Sequence, residues 1–317
     1  MKKLIVIAGP TASGKTALSI AVAQRLGGEI VSADSMQIYR GMDIGTAKAT
    51  AAEQAMVPHH MLDLLPPGEN YSVSRYVEEA SAVCEDIIGR GRVPVVTGGT
   101  GLYIDALLAG RRFAGLSGED SSLRKKLNED YDRLGGEEML RRLRETDPAR
   151  AEKLTPGDRR RIIRALEVFG ITGETISAHD AQSREQAPAF DALYTVLEFR
   201  DREKLYRRIE QRVDRMYQDG LLEEVQLLEK AGIPEESTCL QAIGYRQAMQ
   251  ILRGELDQEE AVRITKQATR RYAKRQLTWF RRHGDALRLC PDELSPEEMA
   301  DRVCEAFVRM KESEAYD

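Results

Sequence analysis

The chain has 317 residues, 42% apolar and 31% charged, enough for a sizeable core, many solvated helix faces, and one large domain or a core with an appendage. Aromatics are only 6%, which argues against a broad stacking platform for single-stranded nucleic acid; the net charge of −5 argues against a nucleic-acid coat protein but leaves room for a local basic patch. Cys84, Cys239, Cys290 and Cys304 form no C-x-x-C pair and no zinc spacing, so isolated reduced thiols in an intracellular protein are expected.

The N-terminal run Leu4–Ala8 follows Met1-Lys2-Lys3, but it is too short for a signal peptide and ends in glycine. It reads as a buried strand over 3–9, followed by a Gly-rich turn and a helix over Thr16–Leu26. Further strands are expected over 29–33 and 92–97, with a helix over 72–90 between them. Strands alternating with helices imply a parallel sheet covered on both faces. His59 and His60 are adjacent and cannot easily face one metal, so a structural role is expected for them. No stretch approaches the ~20 apolar residues of a membrane span, and the protein reads as cytoplasmic.

The pattern changes near Gly110. From about 113 to 185 the sequence reads as charged helices (Ser121–Leu134, Glu137–Thr146, Arg159–Ile171), punctuated by Gly115, Gly118, Gly135-Gly136, Pro148, Pro156-Gly157 and Gly173. Strand character returns over Ala192–Phe199, and helices follow over 201–218, 219–231, 245–253, 258–282 and 296–312. The expected architecture is α/β: a P-loop-type parallel sheet core covered by helices, over 1–112 and 186–317, with a helical insertion domain over 113–185.

Gly9-Pro10-Thr11-Ala12-Ser13-Gly14-Lys15-Thr16 fits G-x-x-x-x-G-K-[ST]. A strand precedes it and a helix follows, as phosphate binding requires. The glycines let backbone N–H groups turn inward, the helix N-terminus adds its positive end, Lys15 adds a point charge, and the Thr16 hydroxyl can ligate Mg2+. The motif is that of nucleotide-binding, ATP-binding proteins, but it does not say which polyphosphate is bound. An ATPase or kinase generally carries a strand ending in a magnesium-holding Asp. Here the candidate strand Val93–Val96 runs into Thr97-Gly98-Gly99-Thr100-Gly101, with no acid at its end. Such a site suits a diphosphate leaving group.

Asp34 ends the strand before Ser35-Met36-Gln37. At the carboxyl edge of a doubly wound sheet it would lie near the phosphate loop, where it could take a proton from a nucleophile or simply cap the loop. Two basic clusters stand against the acidic total. One is Arg159-Arg160-Arg161 with Arg164; the other runs from Arg263 to His283 without an acidic residue, interleaved with Tyr272, Trp279 and Phe280. They read either as phosphate contacts or as solvated helix faces, with Leu277, Trp279 and Phe280 packed inward.

GPTASGKT, DSMQIYRGMDIGTAK, VVTGGTGLY, RRRIIRALEV, RIEQRVDRMYQDGLLEEV and AIGYRQ, in that order from residue 9 to about 283, resemble the tRNA dimethylallyltransferases. The resemblance implies transfer of a dimethylallyl group from dimethylallyl diphosphate to the exocyclic N6 amine of the adenosine 3′-adjacent to the anticodon, in tRNAs reading codons that begin with U. It implies that the phosphate loop holds the diphosphate with magnesium and that Arg212 contacts it. Asp34 would accept a proton or hydrogen bond from the amine, and Thr100 would contact substrate near the reacting centre. Asp34, Ser35, Met36 and Gln37 would line the mouth of a pocket for a flipped base, Gln37 reading a base edge. Gln241, Gly244, Tyr245 and Arg246 would form a second RNA-contacting stretch, with Tyr245 available to stack. Arg208 shares a helix face with Arg212 and is read as solvated, paired with Glu203 or Glu210. The tRNA anticodon stem-loop is the expected partner, the chain is expected to act as a monomer, and no zinc finger of the kind some eukaryotic members carry is expected. The rival readings are a P-loop kinase with the insertion as its lid, a prenyltransferase of free adenine nucleotides, and an RNA-binding module with a relict phosphate loop.

Overall fold

The computed structural model describes residues 2–110, 121–185 and 187–312, and the chain divides into two compact units, Met1–Leu108 with Ala189–Asp317, and Ala109–Pro188. In the first unit β1 (Lys3–Ala8) is apolar after its first residue and buried on both faces, the mark of a central parallel strand. It lies inside a six-stranded sheet of order β3-β2-β4-β1-β5-β6, built with β2 (Gly28–Ser32), β3 (His59–His60), β4 (Val93–Gly98), β5 (Asp191–Leu197) and β6 (Leu287–Leu289). Every pairing is parallel. The expected P-loop-type parallel sheet is therefore present. The histidine pair forms an edge strand: His60 Nε2 meets Glu29 Oε2 at 2.7 Å and His59 Nδ1 meets Val57 O at 2.9 Å. Helices α1 (Lys15–Leu26), α2 (Ala51–Met56), α3 (Val73–Gly89) and α4 (Gly101–Leu108) complete the N-terminal half.

The second unit is helical among its described residues. It holds α5 (Ser121–Thr146), α6 (Pro148–Ala151), α7 (Arg159–Thr172) and α8 (Ile176–Glu185). Gly135, at φ 81 and ψ 165, breaks α5 into two helices. Met139, Leu140, Leu143, Ala151, Ile162 and Ala165 form a core of its own. Gly115 and Gly118 lie outside the described residues.

The chain re-enters the sheet at β5, and α9 (Arg202–Gln218), α10 (Leu221–Lys230), α11 (Tyr245–Leu252), α12 (Gln258–Phe280) and α13 (Pro296–Glu312) follow. One core joins β1, β2, β4, α1 and α13 through Ile5, Ile7, Leu18, Val22, Val95 and Phe307. A second joins the segment after β2 to α9, α10 and α11 through Ile38, Met42, Val213, Val225, Leu240 and Tyr245. The amphipathic α9 buries Leu205, Ile209, Val213 and Tyr217, which leaves Arg208 and Arg212 on a neighbouring stripe.

Candidate phosphate and acceptor site

Three neighbouring strands end together. β1 runs into Gly9, β4 into Gly99, and β2 into Ala33-Asp34. Ala33 N donates to Thr97 O at 2.7 Å and Thr100 N donates to Ala33 O at 3.1 Å, which stitches the exits of β2 and β4. Carboxyl ends of parallel strands are where open α/β sheets bind ligands.

The loop Gly9–Thr16 closes on the N-terminus of α1. Lys15 Nζ donates to Pro10 O at 2.8 Å. Burial, and then the nearby Arg212 cation, push its amine down to about 7, against the opposing pull of the Asp34 carboxylate. Burial likewise lowers the Arg212 guanidinium, again opposed first by Asp34. The Lys15 amine, the Arg212 guanidinium and the Asp34 carboxylate therefore feel one another's charge at the loop. An anion there would draw a proton onto Lys15 and leave two cations around it. Ser13 is buried, and its Oγ has no hydrogen-bond partner among the described residues.

Asp34 Oδ1 accepts from Met36 N at 2.9 Å and Gln37 N at 3.4 Å, so one oxygen shapes its own turn. Thr100 Oγ1 accepts from Ser35 N at 3.1 Å, which ties the β4 exit to the residue after Asp34. Met36 packs against the second core. Gln37 Oε1 accepts from Ser32 Oγ at 3.1 Å, while its Nε2 donates to Thr46 O and Ala47 O at 3.4 and 3.3 Å. The Gln37 amide thus spans from β2 to the loop after residue 42.

Arg212, on α9, donates from Nη2 to Thr46 O at 3.2 Å. Its neighbour Arg208 is exposed, as read, but its partners differ. It pairs with neither Glu203 nor Glu210; its Nε donates to Ala12 O at 2.9 Å and its guanidinium lies 5.7 Å from the centre of the Phe199 ring. Arg208 is therefore draped over the phosphate loop.

Gln276 was not foreseen from the sequence. Its Oε1 accepts from Thr11 N at 2.9 Å and its Nε2 donates to Gly99 O at 3.0 Å, so one buried amide clasps the phosphate loop to the glycine turn. A Cβ on Gly99 would lie 2.2 Å from that Nε2, and only glycine leaves room for the clasp. One turn earlier on α12, Tyr272 also feels Asp34: burial, then that carboxylate, push its phenol up. The only sequence signal for either residue was their place in the acid-free run from Arg263 to His283.

The expectation for Tyr245 changes, and the basic clusters find acidic partners. Tyr245 is fully buried, with its ring against Gly45 and its hydroxyl donating to Glu224 Oε1 at 2.5 Å, so it is not available to stack on a base. Around it, Gly244 caps α11, Gln241 Nε2 donates to Glu235 O at 2.9 Å, and Arg246 is exposed. The α12 basic run has no acids of its own, but other elements supply them: Lys266 pairs with Asp214 at 2.6 Å, Arg270 with Glu210, and Arg281 with Glu198 at 3.1 Å. In the helical unit Arg159 pairs with Asp132 and lies over Tyr131, Arg161 pairs with Asp158 at 2.8 Å, and Arg164 with Glu167 at 2.7 Å. Arg160 is exposed and has no ion pair among the described residues.

For magnesium the donor set is one protein hydroxyl, Thr16, beside an anion cradle. The described residues hold no group of three His, Cys, Asp or Glu that could bind a metal ion. That set fits an ion carried in by the diphosphate, whose oxygens would supply most ligands, rather than a resident one.

A Gly-rich loop at the centre of an all-parallel sheet, with basic side chains and a carboxylate beside it, defines a P-loop-type α/β protein. A profile described as IPP transferase matches residues 37–283, and one described as isopentenyl transferase matches residues 2–63. The chain is 48% identical to a tRNA dimethylallyltransferase of Pelotomaculum thermopropionicum, over 89% of this chain and 88% of that one. It is 43% identical to that of Acetivibrio thermocellus, over 94% and 95%. Among solved structures, the tRNA isopentenylpyrophosphate transferase of Bacillus halodurans superposes with a TM-score of 0.74 at 36% identity, covering 100% of this chain and 99% of that one. A eukaryotic dimethylallyltransferase captured acting on tRNA superposes with a TM-score of 0.74 at 32% identity, covering 92% and 74%. The chain belongs to the tRNA dimethylallyltransferase (IPP transferase) family.

Proposed function

We propose that this protein transfers a dimethylallyl group from dimethylallyl diphosphate to the N6 amine of the adenosine 3′-adjacent to the anticodon, in tRNAs reading codons that begin with U, and releases diphosphate. The observation that carries this reading is the shared exit of β1, β2 and β4: Asp34 leaves β2 beside the phosphate loop, and hydrogen bonds tie Ala33 and Ser35 on either side of it to Thr97 and Thr100 of the β4 exit, in keeping with the charge coupling of Asp34 to Lys15 and Arg212. Backbone amides of Gly9–Thr16, Lys15 and Arg212 hold the diphosphate, with Arg208 covering the loop. The Thr16 hydroxyl would hold a magnesium ion accompanying the diphosphate, which when bound would supply further charge neutralisation. The bond from the allylic carbon to oxygen breaks and its electron pair leaves on the diphosphate. The amine lone pair forms the new carbon–nitrogen bond, and the amine proton passes to Asp34 and then to solvent. The allylic cation is stabilised by resonance, so the protein's work is positioning and charge stabilisation. Thr100 holds the Asp34 turn through Ser35 and faces the base.

The exposed Arg160 and Arg246, with the unpaired members of the α12 run, would meet anticodon stem-loop phosphates, and the helical unit would contribute to that grip. A cytoplasmic monomer needs nothing further for this chemistry. Among the described residues no helix is long and apolar enough to cross a membrane. The test is to incubate labelled dimethylallyl diphosphate with unmodified tRNA, digest to nucleosides and locate the label. Label on N6 of the adenosine beside the anticodon supports the reading. ATP-dependent phosphorylation without prenyl label would move the protein to the kinases.

A further inference from the structure

The buried carboxylate Glu224 lies outside the reacting groups, in the first turn of α10. Its Oε2 accepts from Asp43 N and Ile44 N, both at 2.8 Å, and its Oε1 accepts from Gly45 N at 3.2 Å and from the Tyr245 hydroxyl at 2.5 Å. Three consecutive backbone N–H groups and a phenol thus surround one anion, while the positive end of α10 lies behind it. Charge-assisted bonds of this kind are the stronger class, and both oxygens are occupied. A Cβ on Gly45 would lie 2.3 Å from the Tyr245 ring, so the peptide and the ring are in close contact.

The loop held this way reaches both halves of the site. Thr46 O, one residue beyond the captured N–H groups, accepts from Arg212 Nη2 at 3.2 Å and from Gln37 Nε2 at 3.4 Å. Arg212 belongs to the leaving-group side. Gln37 donates its backbone N–H to Asp34 Oδ1 and belongs to the acceptor side. The loop has few other anchors near Thr46: its hydroxyl donates to Met42 O at 2.6 Å, and Lys48 binds Tyr39 O at 2.9 Å with Asp43 and Asp63 at 2.5 Å.

We propose that Glu224 is a positioning residue of the transfer reaction: by gripping the amides of residues 43–45 it fixes the Thr46 carbonyl that sets Arg212 against the diphosphate and registers Arg212 with the Asp34 turn. This deepens the proposed function and rests on it. Glu224→Gln keeps the size but replaces one acceptor oxygen with an N–H2 group, which must face either backbone donors or the phenol. Outer-shell substitutions of this type commonly cost ten- to a hundredfold in affinity or activity.

The experiment measures inorganic pyrophosphate affinity by calorimetry, without tRNA, alongside steady-state transfer, for wild type, Glu224→Gln, Arg212→Ala and the double variant. Glu224→Gln is expected to weaken pyrophosphate about tenfold and to lower kcat with little change in KM for tRNA. Adding it to Arg212→Ala should change pyrophosphate affinity by less than about twofold, because the lever is already gone. Additive losses, or unchanged pyrophosphate affinity in Glu224→Gln, would overturn the proposal. Tyr245→Phe removes one bond to the same carboxylate and serves if Glu224→Gln does not fold: it should shift pyrophosphate affinity in the same direction and leave tRNA binding alone, and an unchanged pyrophosphate affinity overturns the proposal. Wild type that binds pyrophosphate but transfers no prenyl group would sink the function rather than the positioning role.

Discussion

Replacing Gln276 with alanine removes both ends of the clasp between Thr11 N and Gly99 O. Gly99 is buried, and its carbonyl loses its partner without access to water; Thr11 is half-buried and partly recovers solvent. An orphaned buried polar group costs about 1–3 kcal/mol, so about 2 for Gly99 and 1 for Thr11 gives about 3 kcal/mol. For a protein of this size that lowers Tm by about 5 °C. Scanning calorimetry without ligand measures the shift, and titration with pyrophosphate measures the loosened cradle. Gln276→Met nearly restores the volume without the hydrogen bonds, so it separates the clasp from the cavity. If the methionine variant recovered wild-type Tm and pyrophosphate affinity, the clasp would be mere filling and the reasoning would fail.

Lys15 makes a pH prediction. Its folded pKa, about 7, lies below the unfolded value of 10.5, so its contribution to stability is present above 10.5 and is lost as pH falls through 7. Diphosphate binding reverses this by favouring the ammonium. Binding at pH 8, followed by calorimetry in buffers of different ionisation enthalpy, should take up about one proton, and Lys15→Met should abolish the uptake. Arg208→Ala should raise the KM for the prenyl donor severalfold and leave tRNA affinity unchanged; an unchanged donor KM would return Arg208 to the solvated surface.

The parts of this protein that repeat locally were readable in its sequence. The apolar runs of β1, β2, β4 and β5, and the 3.6-residue periodicity of the C-terminal helices, mark the sheet and its cover within a few residues. The phosphate loop and Asp34 were readable because a short motif and a strand end are local facts. Strands β3 and β6 were not, since two or three residues carry no period of their own and exist only by pairing with β2 and β5. Arg208, Gln276 and Glu224 escaped for a related reason. Each acts on a segment between 177 and 265 residues away, and nothing in a helix written RRIEQR, KRQLTW or LLEEV says which loop it will meet. The same distance explains the two corrections of charge and exposure. The acids that pair with Lys266, Arg270 and Arg281 sit on α9 and after β5, and the carboxylate that captures Tyr245 sits on α10.

In the proposed reaction Gly9–Thr16 hold the departing diphosphate while Asp34 serves the incoming amine. Asp34→Asn separates these, because the amide keeps the Oδ1 contacts to Met36 and Gln37 and removes only the charge and basicity. Single-turnover transfer from saturating donor to unmodified tRNA, with donor affinity measured in the same variant, is the direct test. Donor binding as tight as in wild type with transfer slowed about a hundredfold or more is predicted. Transfer at the wild-type rate, or a loss confined to donor binding, would contradict it.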